Sequence, residues 1–316
     1  MPEAILEGGT RIEWADVPSV VRRSIEERFR SQVVQARTQK GGFSPGLAAR
    51  VLLKDGRRAF VKAVGPEPNA DSPALHRREA VIAAALPATL PVPRFLWSCE
   101  ASDWVALAFE DIEGSSPGSP WRPHDLARVL DMLTNFTRIL SPAPFAAEPI
   151  ATRFSEWFSG WRKLARRSTA QQLDSWSRCH LAELVDLEVE WELATQGTTL
   201  LHADLRADNI LLTPTDVFVV DWPWACVGAA WFDLLVLLVN VAAQGQAVPG
   251  PTFEKHPVGA LAEPAAVNAS LSALAGFFTE RSLAPPEPGL PRLREFQRAH
   301  GAAAREWLAH RMGWEL

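Results

Sequence analysis

The 316-residue chain has no tyrosine and only three cysteines. Cys99, Cys179 and Cys226 are widely scattered, odd in number and without CxxC spacing, so neither a disulfide framework nor a zinc site is implied. No apolar run approaches the roughly 18 residues that read as a membrane span; the best, residues 234–243, is about half that length. The first residues, MPEAILEGGTRIEW, carry no basic stretch ahead of a long apolar one, and no signal peptide is expected. Cationic charge is not in excess either. With 32 Lys and Arg against 37 Asp and Glu, the net charge of −5 argues against nucleic acid as the main partner, which usually needs a basic face. It is permissive for a cationic substrate and proves nothing more. Internal repeats and long low-complexity tracts are lacking. What remains is a soluble, cytosolic chain without a membrane partner, long enough for two globular lobes, each with its own core. The sequence carries no signal for oligomeric state.

Along the chain the hydrophobic period changes once. Asp16 and Pro18 open a helix with Val21, Ile25 and Phe29 on one face. Residues 32–39, 48–54 and 58–64 then read as antiparallel strands, the last two joined at Asp55-Gly56. Ser72-Pro73 supplies an N-cap and a first-turn proline for a helix running to about Leu86. Two more strands, 94–99 and 104–109, complete a five-stranded antiparallel sheet. Residues 115–123, rich in Ser, Pro and Gly, form a linker. Helices are expected at 124–140, 153–167, 174–195 (closed by Gly197), 233–243, 268–282 and 291–313, with 245–259 as loop. The expected fold is α+β, with an N-terminal lobe over residues 1–110 and a larger, mostly helical C-terminal lobe over 111–316.

The stretch that organises the chain is 200–222, LLHADLRADNILLTPTDVFVVDW. Its apolar runs 210–212 and 217–220 flank Thr213-Pro214-Thr215-Asp216, the pattern of a hairpin with a four-residue loop. Asn209 precedes the first strand and Asp221 ends the second, so both side chains fall at the end away from the turn. An amide oxygen beside a carboxylate is a hard-oxygen site suited to Mg²⁺. Asp204, on the incoming loop, would accept the proton of an acceptor hydroxyl as a new P–O bond forms. His202 is expected to fix the loop rather than move protons.

Lys62 sits in an apolar strand, and Glu79 follows on the next helix. A strand lysine paired with a helix glutamate can point its ammonium at nucleotide phosphates. Gly41, Gly42 and Ser44 belong to GGFSPG between the first two strands. Glycines there let backbone N–H groups approach an anion closely, though a plain hairpin connection would use the same residues.

The order of glycine-rich loop, Lys62, Glu79, linker, HADLRADN and VVDW resembles the kinase-like phosphotransferases, and most nearly the aminoglycoside phosphotransferase family of small-molecule kinases. That resemblance implies a two-lobed protein-kinase-like fold binding ATP and Mg²⁺ in the cleft. Glu110 and Ile112 would then offer backbone groups to the adenine, and Asp233 would brace the catalytic loop. The sequence departs from protein kinases in reading His-Ala-Asp rather than His-Arg-Asp. Trp222-Pro223-Trp224 replaces Phe-Gly, and no activation segment follows, which argues against a protein substrate. Arg206 takes the place of a lysine; it either neutralises the transferring phosphoryl or is a solvated loop arginine. The implied activity is O-phosphorylation of a small-molecule hydroxyl. An aminoglycoside-type antibiotic leads by resemblance, while a macrolide, an amino sugar or a choline- or homoserine-like alcohol fits the residues as well. A nucleotide-binding pseudokinase scaffold is disfavoured by the intact Lys62, Asp204, Asn209 and Asp221.

Residues that would choose the acceptor are harder to read. The acidic stretch of Glu183, Asp186, Glu188, Glu190 and Glu192 either attracts a polyamine-like substrate or is a solvated helix face. The Phe154, Trp157, Phe158 and Trp161 stripe either lines an apolar pocket or is core. Trp307, His310 and Trp314 invite the same two readings.

Overall fold

The computed structural model describes residues 10–39, 41–42, 45–166, 171–245 and 249–315. Helix α1 (Ser19–Phe29) buries Val21, Ile25 and Phe29, the face its spacing marks. Strands β1 (Val33–Thr38), β2 (Leu47–Leu53) and β3 (Arg58–Val64) follow, then α2 (Ser72–Ala85), β4 (Phe95–Ala101) and β5 (Trp104–Phe109). All neighbouring strands pair antiparallel in the order β1-β2-β3-β5-β4. Alternation along β5 assigns its two faces. Ala106 and Ala108 pack with α1, whereas Val105, Leu107 and Phe109 pack with Ala80 and Ala83 of α2. Lys62 is directly opposite Leu107 and so shares the α2 face. That register aims a strand lysine at a helix glutamate. Asp71, not Ser72, is the N-cap of α2, and its side chain makes no capping bond.

Past residue 110 the chain is mainly helical. Helix α3 (Pro123–Leu140) buries Val129, Met132, Leu133, Phe136 and Leu140. Two long helices expected next are broken into shorter ones. Residues 153–167 give α4 (Ile150–Arg153), a run of turns, and α5 (Gly160–Arg166). The stretch 174–195 becomes α6 (Ser175–Cys179), α7 (Leu181–Val189) and α8 (Trp191–Ala194). Gly197 does not cap that last helix, which closes on Thr195. It is needed for a close approach instead, since a Cβ there would overlap the Gly228 carbonyl.

Four short strands then hold the central stretch: β6 (Thr199–Leu201), β7 (Ile210–Leu212), β8 (Val217–Val219) and β9 (Cys226–Gly228). The β7–β8 hairpin has the expected register, Ile210 opposite Val219 and Leu212 opposite Val217. Its sequence gave no hint of the second ladder, β6 against β9, with Leu200 opposite Val227. Helix α9 (Phe232–Ala243) is apolar on nearly every side and correspondingly buried. Within the loop expected at 245–259, the described residues include a short helix, α10 (Gly250–Lys255). Helices α11 (Pro264–Ser282) and α12 (Leu293–Met312) pack against each other and finish the chain. Among the described residues no helix is long and apolar enough to cross a membrane.

Candidate active site

Two loops, 202–209 and 220–225, lie side by side because the two small ladders clamp them at both ends: β6 and β9 on one side, β7 and β8 on the other. Val220 N–H donates to the Asn209 carbonyl at 2.9 Å, extending the hairpin to the point where Asn209 and Asp221 emerge. Asp221 has φ +68° and Ala203 φ +64°, both left-handed and unfavourable for residues with a Cβ. Such conformations persist where surrounding contacts enforce them. The enforcing contacts are visible. His202 and Ala203 N–H groups both donate to the Asp233 carboxylate at 2.8 Å, at the start of α9. The buried His202 ring bonds the Val220 carbonyl through Nε2 at 3.0 Å and accepts from Asp204 N–H through Nδ1 at 3.2 Å. Burial lowers the His202 pKa to about 4, so the ring is neutral. It is a structural strut.

Lys62 Nζ lies 2.7 Å from Glu79 Oε1 and 2.7 Å from Asp221 Oδ1. One ammonium thus faces two carboxylates. Burial pushes Glu79, the deeper of them, up to about 7 despite Lys62. For Asp221 burial acts in the same direction, but Lys62 and then Arg206 outweigh it and hold the carboxyl well below its usual range. Asn209 donates through Nδ2 to the Asp204 carbonyl at 2.8 Å and, more weakly, to Asp204 Oδ2 at 3.4 Å. Burial lifts Asp204 to about 7, with Arg206 opposing and Asp208 and Asp221 reinforcing. A carboxylate poised near neutrality suits a general base.

Arg206 is no solvated loop arginine. Its side chain is 12% exposed, donates to both oxygens of Asp208 at 3.0 and 2.9 Å, and lies 3.4 Å from Asp204 Oδ1. Its guanidinium also stacks over Phe296 at 5.1 Å. Of the glycine-rich loop, Gly41 and Gly42 are described and Ser44 lies outside the described residues. Arg11, which sequence reasoning missed, donates to the Gly41 carbonyl at 2.7 Å and feels the charges of Asp221 and Asp208. Only its proximity in the fold marks it.

After β5 the chain is pinned by Asp111, which takes Arg50 at 2.6 Å and Arg58 at 3.0 Å. Glu110 N–H is engaged by the Arg94 carbonyl, and the Ile112 carbonyl by Gly114 N–H. Neither Glu110 nor Ile112 lines the cavity that holds Asp204, Asp221 and Glu79, which has a volume of about 880 Å³. Arg78, next to Glu79 on α2, donates to the Pro223 and Ala225 carbonyls at 2.8 Å each. With Trp222 buried between Phe136 and His202, the segment after Asp221 is held in place.

Asn209 and Asp221 fit a divalent cation by the chemistry of their donors. The Asn209 nitrogen faces Asp204, which leaves its oxygen for a hard ion, and Asp221 keeps a second carboxylate oxygen beyond Lys62. Among the described residues no three His, Cys, Asp or Glu side chains form a closed metal cage. A small divalent ion that keeps several waters and takes phosphate oxygens needs none.

A five-stranded antiparallel sheet joined to a helical half, with this cleft between them, is the kinase-like fold. The chain matches the model of the phosphotransferase enzyme family, APH, over residues 41–268, and it belongs to that family. Among solved structures it is similar to the aminoglycoside phosphotransferase APH(4)-Ia, with 15% identity, 93% of this chain and 98% of the other covered, and a TM-score of 0.61. It is also similar to the amicoumacin kinase hAmiN, solved with AMP-PNP, Ca²⁺ and Ami (9% identity, 90% and 93% covered, TM-score 0.57). A choline/ethanolamine kinase family protein from Mesorhizobium loti is a third (16% identity, 92% and 94% covered, TM-score 0.54). At such identities the likeness is one of fold. No curated protein matches the sequence.

Proposed function

We propose that the chain transfers the γ-phosphoryl group of ATP, with Mg²⁺, to a hydroxyl of a small molecule. The observation that carries this reading is the shared ammonium: Lys62 Nζ at 2.7 Å from both Glu79 and Asp221, beside an Asp204–Asn209 pair. No packing requirement calls for so many charges in one cleft, whereas phosphoryl transfer is almost entirely positioning and charge stabilisation.

In this reading Asp204 accepts the acceptor's hydroxyl proton while its oxygen forms the bond to phosphorus and ADP leaves. Lys62, oriented by Glu79, meets the α- and β-phosphates, and Gly41 and Gly42 approach them with backbone N–H groups. The Glu110 carbonyl and Ile112 N–H address the adenine edge. Asn209 and Asp221 hold the divalent ion, which when bound supplies charge neutralisation on the phosphates. Arg206, fixed by Asp208, lends positive charge next to Asp204. Residues 1–110 serve as the nucleotide-binding part and 111–316 carry the catalytic loop and acceptor site.

The experiment is acceptor-dependent ADP release from ATP and Mg²⁺ across a panel of hydroxyl compounds, run beside Asp204→Asn. Product carrying the phosphate as an ester is expected. A panel in which ATP is consumed without any acceptor ester would defeat the reading.

A further inference from the structure

The reaction dictates the charges around Asp204, but it does not dictate the opposite wall of the same cavity. That wall is aromatic and cationic. Trp157, Trp224, Phe277 and Phe278 line it together with Arg153 and Arg281. The Trp157 ring stacks on Phe277 at 5.4 Å with 4° between planes, and Trp224 meets Trp157 at 4.7 Å. The Arg153 guanidinium lies 4.7 Å from the Trp224 ring centroid.

We propose that the acceptor is an apolar hydroxyl compound bearing an anionic group, and that Arg153 is the residue that recognises that group. The inference rests on the phosphotransferase reading and deepens it by naming the substrate class.

Arg153 is in no ion pair among the described residues, although the charge of Glu148 reaches it. Among the described residues its Nε is buried and makes no hydrogen bond, and no carboxylate lies within ion-pair distance of it. Burial, and then the charge of Arg78, pull its proton affinity below the usual guanidinium range, with Glu148 opposing. A half-buried, unpaired charge is costly and gains most from an arriving anion. Of the carboxylates on the lining, Glu287 pairs with Arg294 at 3.1 Å, while Glu148 is held only loosely, 3.7 Å from Arg78. Glu156 and Asp71 are exposed on the lining. Arg281 adds positive charge, 5.9 Å from the Trp157 ring and only loosely met by Glu280 at 3.8 Å. The acidic stretch that sequence offered as a polycation lure is elsewhere. Glu188 is buried, accepting from Trp161 and Arg162 N–H, and Glu183, Asp186, Glu190 and Glu192 are exposed and do not line the cavity. A polyamine entering here would meet two guanidinium groups across aromatic rings.

Equilibrium binding separates this inference from catalysis. Calorimetric titration of the full chain with 4-phenylbutyrate, 4-phenylbutanol and 4-phenylbutylamine compares one apolar body as an anion, a neutral molecule and a cation. The carboxylate is expected to bind at least about tenfold more tightly than the amine, the scale of one charge-assisted contact. In Arg153→Gln the ratio should fall to near one, and Arg153→Lys, which keeps the charge, should retain part of it. Equal or tighter amine binding, no measurable carboxylate binding, or a ratio unchanged in Arg153→Gln would overturn the proposal. So would preferred phosphorylation of a polycationic aminoglycoside, which at the same time would uphold phosphoryl transfer itself.

Discussion

The two walls of the cleft follow opposite electrostatic plans. Around Lys62 and Asp204 charges answer each other at close range: Lys62 with Glu79 and Asp221, Arg206 with Asp208, and Asp233 with two backbone N–H groups. On the side of Trp157 and Trp224, rings stack on rings and Arg153 rests on Trp224, with no ion pair among the described residues. The difference follows from what each wall must do. Phosphoryl transfer needs charges fixed to within tenths of an ångström, so those groups hold one another in place before any substrate arrives. Acceptor recognition needs a shape and a counter-charge that the ligand itself supplies.

The sharpest break in that comparison is at Asp204. Asp204→Asn keeps the shape and the hydrogen bond from Asn209 but cannot take a proton. Turnover is expected to fall by about 10²–10⁴, the usual share of a general base. Nucleotide binding, measured by titration with ADP and Mg²⁺, should persist. A loss of both would mean that Asp204 shapes the site rather than works in it.

Next comes the shared ammonium. Lys62→Met strands Glu79 and Asp221, and removing one partner of a buried ion pair costs about 3–5 kcal/mol. Chemical denaturation should show that loss, and adding Glu79→Gln should recover part of it by removing the stranded charge. Equal stability of single and double variants would show that Lys62 does not hold Glu79.

The opposite wall is best probed from behind. Gly160 opens α5 where that helix crosses α11, and a Cβ there would overlap the Gly276 carbonyl next to Phe277. Gly160→Ala should cost about 1–3 kcal/mol by overpacking and push α11, with Phe277, Phe278 and Arg281, out of line. The KM for acceptor should rise while the KM for ATP stays within error. A change confined to ATP would mean that the two walls are mechanically joined.

The same contrast explains what could be read from sequence. His202, Asp204, Asn209 and Asp221 lie within 20 residues, on a hairpin whose alternation and turn are local signals, so their convergence was legible. Lys62 and Glu79 needed one step more, a strand face and the helix over it, and register supplied it. The β6–β9 ladder was missed because its strands are three residues each and pair across the whole loop pair. Spacing alone makes helices 153–167 and 174–195 too long, since apolar spacing persists through the turns at 154–159 and around His180. Arg11 and Arg153 carry no spacing at all. They matter through neighbours distant in sequence, Gly41 for one and Trp224 for the other.

The smallest expected effect tests how the helical half supports the catalytic loop. Asn240 on α9 accepts from Ala207 N–H at 3.1 Å and donates to His300 Nε2 at 3.0 Å, while His300 Nδ1 donates to the Phe296 carbonyl at 2.9 Å. Burial lowers the His300 pKa to about 3, the Phe296 bond opposing and the Arg206 charge assisting. In the unfolded chain the same ring titrates near ~6.5. Below that pH the unfolded state binds the extra proton, so the stability His300 contributes is complete above ~6.5 and is lost as pH falls toward 3. His300→Gln keeps an amide acceptor for Asn240 and removes the titration. The other buried histidines and carboxylates titrate in both proteins and cancel in the difference. Between pH 7 and pH 5.5 the wild-type chain should therefore lose about 1 kcal/mol more stability than the variant, by urea denaturation at the two pH values. Equal losses would mean that the ring takes up its proton in the folded state, and the strut from α12 through Asn240 to the catalytic loop would then not depend on a neutral His300.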